Sequence, residues 1–157
     1  MEREVRYCTT EDGVRIAYRV EGEGPPLLCG TESWETFSLD HHMPQRVEFF
    51  KALGNGRQLV RYDWRGFGLS QRDVQGLSLE DLSLDIDAVT QAAGVERFAI
   101  WAPTVSSPKS LYYAATRPER VSRLITYAGY SEGTASMPRE RLLSYAELCR
   151  RDWQTGA

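Results

Sequence analysis

The sequence contains little of what marks a membrane, secreted or nucleic-acid-binding protein. It has no apolar run near the ~18 residues that a membrane-spanning helix needs, and no apolar signal segment follows Met1. The formal net charge of −3 gives no basic excess for binding a polyanion. We therefore expect a cytoplasmic protein with no nucleic-acid partner and no membrane partner.

Cysteine and histidine are also scarce. The three cysteines, Cys8, Cys29 and Cys149, are widely spaced and form no Cys-x-x-Cys pair. His41 and His42 are the only histidines, so no set of zinc ligands can be recognised. We expect reduced cysteines, no metal and no cofactor.

The composition is that of a globular domain. Of the 157 residues, 41% are hydrophobic, 11% aromatic and 26% charged, which is enough apolar material for a packed core. We find no repeat and no linker-like stretch. The prediction is a single domain over 1–157, with sheet and helices over 1–136 and a C-terminal helix within 137–157.

Hydrophobic periodicity predicts an α/β fold. Residues 5–10 and 14–20 are β-prone around the Asp12-Gly13 turn, which favours an antiparallel hairpin. From residue 58 onward strands and helices alternate, which indicates a mostly parallel sheet with helices on both faces. The other predicted strands are 27–29, 58–63, 97–101 and 121–127, and the predicted helices are 43–54, 78–94, 110–116 and 138–152.

Two motifs resemble the α/β-hydrolase fold superfamily. Residues 63–70 read D-x-R-G-x-G-x-S, and residues 114–121 read A-A-x-x-P-E-R-V. The flanking segments 79–82 and 127–130 look most like the hydrolase-like domains found beside bacterial nucleotide cyclases and helix-turn-helix regulators. The resemblance implies a truncated α/β-hydrolase fold that lacks the lid and the last two strands, with residues 137–157 similar to the start of a lid.

The resemblance aligns Thr104 with the family's nucleophile. That family holds a serine in G-x-S-x-G at a tight turn between a strand and a helix. Here residues 102–106 read A-P-T-V-S, so the serine is replaced by threonine. A β-branched residue disfavours positive φ, so we expect Thr104 to lose the strained conformation and to be inactive. We expect Ser106 and Ser107 to cap the following helix, with Pro108 in its first turn.

The same resemblance implies a binding site near Thr104. Its oxyanion hole would use the amide of Val105 and a second amide near Gly30 or Thr31. We expect this hole to be empty and able to hold a carboxylate or carbonyl oxygen of a small apolar ligand. The aromatic residues expected to line a pocket there are Trp34, Trp64, Phe67 and Trp101.

Other polar residues near this edge are expected to be structural. The family uses the 63–70 motif to shape a loop, so Arg65 and Ser70 should anchor it by hydrogen bonds, and Asp63 should share that role. His41 and His42 precede the first helix, and we interpret them as solvent-facing loop residues rather than as a catalytic base.

Three functions remain open from the sequence. The first is a degenerate hydrolase-like domain without its own triad, which binds a ligand or a protein. The second is an ester or amide hydrolase whose acid and histidine come from a second chain. The third is a truncated remnant without activity. An ester-hydrolysis assay and the oligomeric state would separate them.

An edge strand predicts a partner. In the resembled fold residues 121–127 form an interior strand, so Leu124, Ile125 and Tyr127 would here form an apolar sheet edge. We expect a homodimer, or another partner chain, to cover residues 121–129 and the C-terminal helix.

Overall fold

The protein forms one six-stranded sheet flanked by helices. The computed structural model describes residues 4–30, 32, 36–133 and 137–151. The strands are β1 (Arg6–Thr9), β2 (Arg15–Glu21), β3 (Pro26–Gly30), β4 (Gln58–Asp63), β5 (Phe98–Pro103) and β6 (Val121–Tyr127). The helices are α1 (Pro44–Leu53), α2 (Leu79–Ala92), α3 (Ser107–Thr116) and α4 (Arg139–Arg151), with short 3-10 helices at Phe37–His42 and Thr104–Ser106.

The strand order is β1-β2-β4-β3-β5-β6. β2 pairs in the antiparallel direction with β1 and β4, whereas β4, β3, β5 and β6 are parallel neighbours. The predicted hairpin and the mostly parallel sheet are therefore confirmed. Because β3 and β5 are adjacent and parallel, the loops that follow them meet at one edge of the sheet.

The larger core cluster lies between the sheet and the helices α2 and α3. Ile86 and Val89 of α2 are almost fully buried, as the predicted apolar face requires. The start of α2 is fixed by a capping box, in which Asp81 N donates to Ser78 Oγ at 3.1 Å and Ser78 N donates to Asp81 Oδ2 at 2.9 Å. The sheet residues of this cluster include Ile16, Val60, Phe98 and Ile100.

The 63–70 loop is anchored as predicted. The buried Arg65 guanidinium donates from Nε to Asp85 Oδ1 at 2.7 Å and from a terminal nitrogen to Asp12 Oδ2 at 2.6 Å. Ser70 accepts a hydrogen bond from Ala17 N at 2.8 Å and donates to the carbonyl of Asp63. The structural roles of Arg65 and Ser70 are confirmed.

Asp63 also acts within this loop. Its Oδ2 accepts hydrogen bonds from Leu69 N at 2.8 Å and from Thr36 Oγ1 at 3.0 Å. Gly68 has φ of +53°, and a Cβ there would lie 2.0 Å from Asp63 Oδ2. The glycine is therefore required for the close approach of the loop to this carboxylate.

The start of α3 differs from the prediction. Pro108 is in the first turn and Ser106 holds the N-cap position, as predicted, but the Ser106 side chain makes no capping hydrogen bond. The Ser106 hydroxyl donates back to the Pro103 carbonyl, and the Ser107 hydroxyl donates to the Thr104 carbonyl at 2.6 Å. Ser106 has helical backbone angles, φ −80° and ψ −14°, so its side chain cannot reach forward as an N-cap residue does.

β6 is an edge strand of the described sheet, and it exposes apolar side chains. Ile125 is 45% exposed and Tyr127 is 68% exposed, whereas Leu124 packs against the core. The helix α4, which follows β6 in the sequence, exposes Leu143 and Tyr145. None of the helices in the described part of the chain is long and apolar enough to cross a membrane.

Candidate ligand site beside Thr104

The turn between β5 and α3 is strained at Thr104, where φ is +35°. Positive φ is unusual for a β-branched residue. The prediction that Thr104 loses the conformation of the nucleophile turn is therefore wrong. Ala102 is fully buried and Ser106 almost so, and small residues on both sides allow strand and helix to approach closely.

Glu32 holds this turn in place. It follows β3 and is only 4% exposed. Its Oε2 accepts a hydrogen bond from the Thr104 hydroxyl and another from Val105 N at 3.2 Å. These contacts from a distant part of the chain offset the local cost of positive φ, which is of order 1–3 kcal/mol.

The same carboxylate occupies the expected oxyanion position. The Val105 amide was predicted to lie open for a ligand oxygen, and instead it donates to Glu32. The expectation of an empty hole is therefore wrong. Gly30 lines the adjoining pocket, while Thr31 lies outside the described residues. A second anion at this amide would meet the charge of Glu32.

A pocket of about 410 Å³ opens beside this turn. Trp101, predicted from the sequence, is on its wall, and the Phe49 ring lies 6.2 Å from the Trp101 ring. The lining residues are Gly30, Glu32, Phe49, Phe50, Trp101, Pro103, Thr104 and Tyr127. The wall is thus mainly aromatic, with Glu32 as the charged residue among those the structure describes.

The other predicted aromatic residues are not brought to this pocket. Trp64 and Phe67 stack on each other, with ring centroids 5.6 Å apart and planes 13° apart. Neither is among the described residues that line the pocket. Trp34 lies outside the described residues.

Lys109 is a buried cation near the site that the sequence reading missed. It is 3% exposed, and its Nζ lies 4.4 Å from the centre of the Trp64 ring. Burial lowers the pKa of Lys109 to about 8, although the charges of Glu32 and Asp85 act in the opposite direction. Lys109 makes no hydrogen bond to Glu32 among the described residues, so their attraction acts through space.

The two histidines end the short 3-10 helix Phe37–His42. His42 is exposed, as the interpretation of a solvent-facing residue predicts. The side chain of His41 lies outside what the structure describes. The hydrogen bond that the structure describes for the Thr104 hydroxyl goes to Glu32.

Comparison with known proteins shows the family of this fold. Residues 30–154 match the model of the alpha/beta hydrolase fold. The pyrrolizixenacetamide deacetylase of Xenorhabdus hominickii is 24% identical over 140 residues, which are 88% of this chain and 50% of the relative. The bifunctional esterase/perhydrolase of Acinetobacter calcoaceticus is 29% identical over 113 residues, which are 71% of this chain and 40% of the relative.

A solved structure agrees with the sequence match. An esterase from Exiguobacterium antarcticum superposes with a TM-score of 0.78 at 18% identity, covering 98% of this chain and 58% of that chain. Identity at that level supports the fold alone. The chain spans half or less of the length of these two curated relatives. Strand order, strand-to-helix turn and family match agree, and the chain belongs to the α/β-hydrolase fold family.

Proposed function

We propose that this chain binds a small, largely apolar ligand in the pocket beside Thr104 and does not hydrolyse it through Thr104. The observation that carries the proposal is the hydrogen bond from Val105 N to the Glu32 carboxylate, at 3.2 Å. The Glu32 carboxylate accepts the hydrogen bond of the backbone amide that would otherwise stabilise the transition state of acyl transfer.

Two physical effects favour ligand binding without hydrolysis. Losing one oxyanion donor costs about 10²- to 10³-fold in kcat in hydrolases of this type of chemistry. A second negative charge about 4 Å from Glu32 would be repelled by roughly 4 kcal/mol at an effective dielectric constant near 20. The aromatic walls given by Phe49, Trp101 and Tyr127 keep their capacity to bury an apolar ligand.

A second candidate is an ester or amide hydrolase, and the turn geometry favours it. Thr104 keeps positive φ, and its hydroxyl donates to a carboxylate. The two relatives are named as a deacetylase and as an esterase/perhydrolase, which agrees with an ester or amide hydrolase. The acid and the histidine of the reaction would come from a second chain.

Binding of 2-phenylethanol, followed by titration calorimetry, tests the proposed pocket. Phe49 is 46% exposed on the pocket wall, so Phe49→Ala should weaken binding by about 5-fold or more without unfolding the protein. Tyr7 is 48% exposed on β1, and Tyr7→Ala is the matched control that should bind like the wild type. Equal affinity of Phe49→Ala and the wild type, or no binding to the wild type at millimolar 2-phenylethanol, would contradict the proposal.

A further inference from the structure

The two carboxylate oxygens of Glu32 have different surroundings. Oε2 accepts the hydrogen bonds from Thr104 and Val105. Oε1 is buried and has no hydrogen-bond partner in the part of the chain that the structure describes. A buried carboxylate oxygen without a donor is unusual, since buried polar atoms are nearly always hydrogen-bonded. Among the described residues, hydrogen bonds therefore balance the charge of Glu32 at Oε2 alone.

The carboxylate belongs to a residue of the pocket wall. Glu32 lines the pocket together with the aromatic rings of Phe49, Trp101 and Tyr127. The faces of aromatic rings attract cations, and a carboxylate accepts strong hydrogen bonds from an ammonium group. An acidic residue beside aromatic walls is therefore suited to a ligand with a positively charged, hydrogen-bond-donating end and an apolar body.

The acidic residue is on the pocket wall, whereas the buried cation nearby, Lys109, is not among the described residues that line it. Among the described residues that line the pocket, Glu32 is the charged one. Lys109 attracts Glu32 through space but, within the described chain, does not donate a hydrogen bond to it. A carboxylate ligand would be repelled by the charge of Glu32. The Val105 amide could not bind it either, because this amide already donates its hydrogen bond to Glu32.

We propose that the pocket selects an amine of apolar body, bound as its ammonium beside the Glu32 carboxylate. This inference rests on the proposed binding function. It replaces the carboxylate ligand expected from the sequence with a ligand of opposite charge.

Three ligands that share a phenyl body and differ in charge test whether the pocket prefers a cation. They are 2-phenylethylamine, 2-phenylethanol and phenylacetate, each titrated by calorimetry at pH 7. The wild type should bind the amine at least 10-fold more tightly than the alcohol, and phenylacetate more weakly than either. Glu32→Gln keeps the size of the side chain and removes its charge, so the preference for the amine should fall below about 3-fold. Glu23→Gln, in an exposed turn, should keep the full preference.

The outcomes separate this inference from the proposed function. Similar affinities for the amine and the alcohol in the wild type would overturn the choice of ligand and leave the pocket intact. A preference for the amine that survives Glu32→Gln would overturn the role of Glu32. Circular dichroism of both variants verifies that they are folded, and Glu32→Asp provides a second test if Glu32→Gln unfolds: the shorter carboxylate should keep a preference for the amine over the alcohol.

Discussion

Val105 N donates a hydrogen bond to Glu32 Oε2 at 3.2 Å, and this contact joins the loop after β3 to the start of α3. It puts an internal carboxylate where the fold family stabilises a developing oxyanion. The same oxygen accepts a hydrogen bond from the Thr104 hydroxyl. The Glu32 side chain therefore holds the strained turn and also accepts the hydrogen bond of the Val105 amide.

Removing the Glu32 carboxylate should destabilise the protein. Glu32→Ala leaves the Val105 amide and the Thr104 hydroxyl without their acceptor, which costs about 1–3 kcal/mol for buried groups. Urea denaturation should show this loss in the free energy of unfolding. Glu23→Ala, in an exposed turn, is the control and should change it by less than about 0.5 kcal/mol. Equal stability of the two variants would contradict the structural role of Glu32.

Lys109 should make the free energy of unfolding depend on pH in the alkaline range. Its pKa is about 8 in the folded protein against 10.5 in the unfolded chain, so between these values the unfolded chain binds more protons and stability rises with pH. From pH 7.5 to 10 the wild type should gain roughly 2 kcal/mol relative to Lys109→Met.

Urea denaturation of both proteins at the two pH values measures this gain. Because Lys109→Met lacks the titrating group, the difference between the proteins removes the contributions of other residues. A difference that stays constant from pH 7.5 to 10 would show that the pKa of Lys109 is not lowered.

Arg65 should be among the most sensitive positions outside the pocket. Arg65→Leu leaves Asp85 buried without its cation, which typically costs about 3–5 kcal/mol. Burial already raises the pKa of Asp85 to about 6, so the double variant Arg65→Leu/Asp85→Asn should recover part of the loss. Thermal melts at pH 8 check both, with the exposed Arg97→Leu as the control. No recovery in the double variant would show that the two residues are not coupled.

We propose that a second copy of the chain covers the exposed edge at β6. Two β6 strands related by a twofold axis would pair their unpaired backbone groups and cover Ile125 and Tyr127. Sedimentation at micromolar concentration should give a dimer for the wild type and a monomer for Ile125→Lys. A wild type that sediments as a folded monomer would contradict this proposal.

Most of the fold could be predicted because local patterns and global topology agree. The Asp12-Gly13 turn predicts the β1–β2 hairpin, and the alternation of strands and helices after residue 58 predicts the parallel sheet. The predicted element boundaries were less accurate: β5 ends at Pro103, two residues beyond the predicted end. Element boundaries depend on contacts that the local pattern does not contain.

The site was predicted only in part, because its chemistry comes from residues distant in sequence. Thr104 was located by motif spacing, but its positive φ depends on Glu32, 72 residues away. A usable signal existed: Glu32 follows β3, and β3 neighbours β5, so a side chain after one strand can reach the turn after the other. Lys109 gave no comparable signal, since a lysine in a helix is usually exposed.

Hydrolysis of 4-nitrophenyl acetate by the wild type and by Thr104→Ala tests the central claim most directly. If the Glu32 carboxylate blocks the oxyanion position, the two proteins should release nitrophenolate at the same slow rate, and Thr104→Ser should not exceed them. Turnover by the wild type that is at least 10-fold faster than in Thr104→Ala would contradict the account, because it would make Thr104 a working nucleophile.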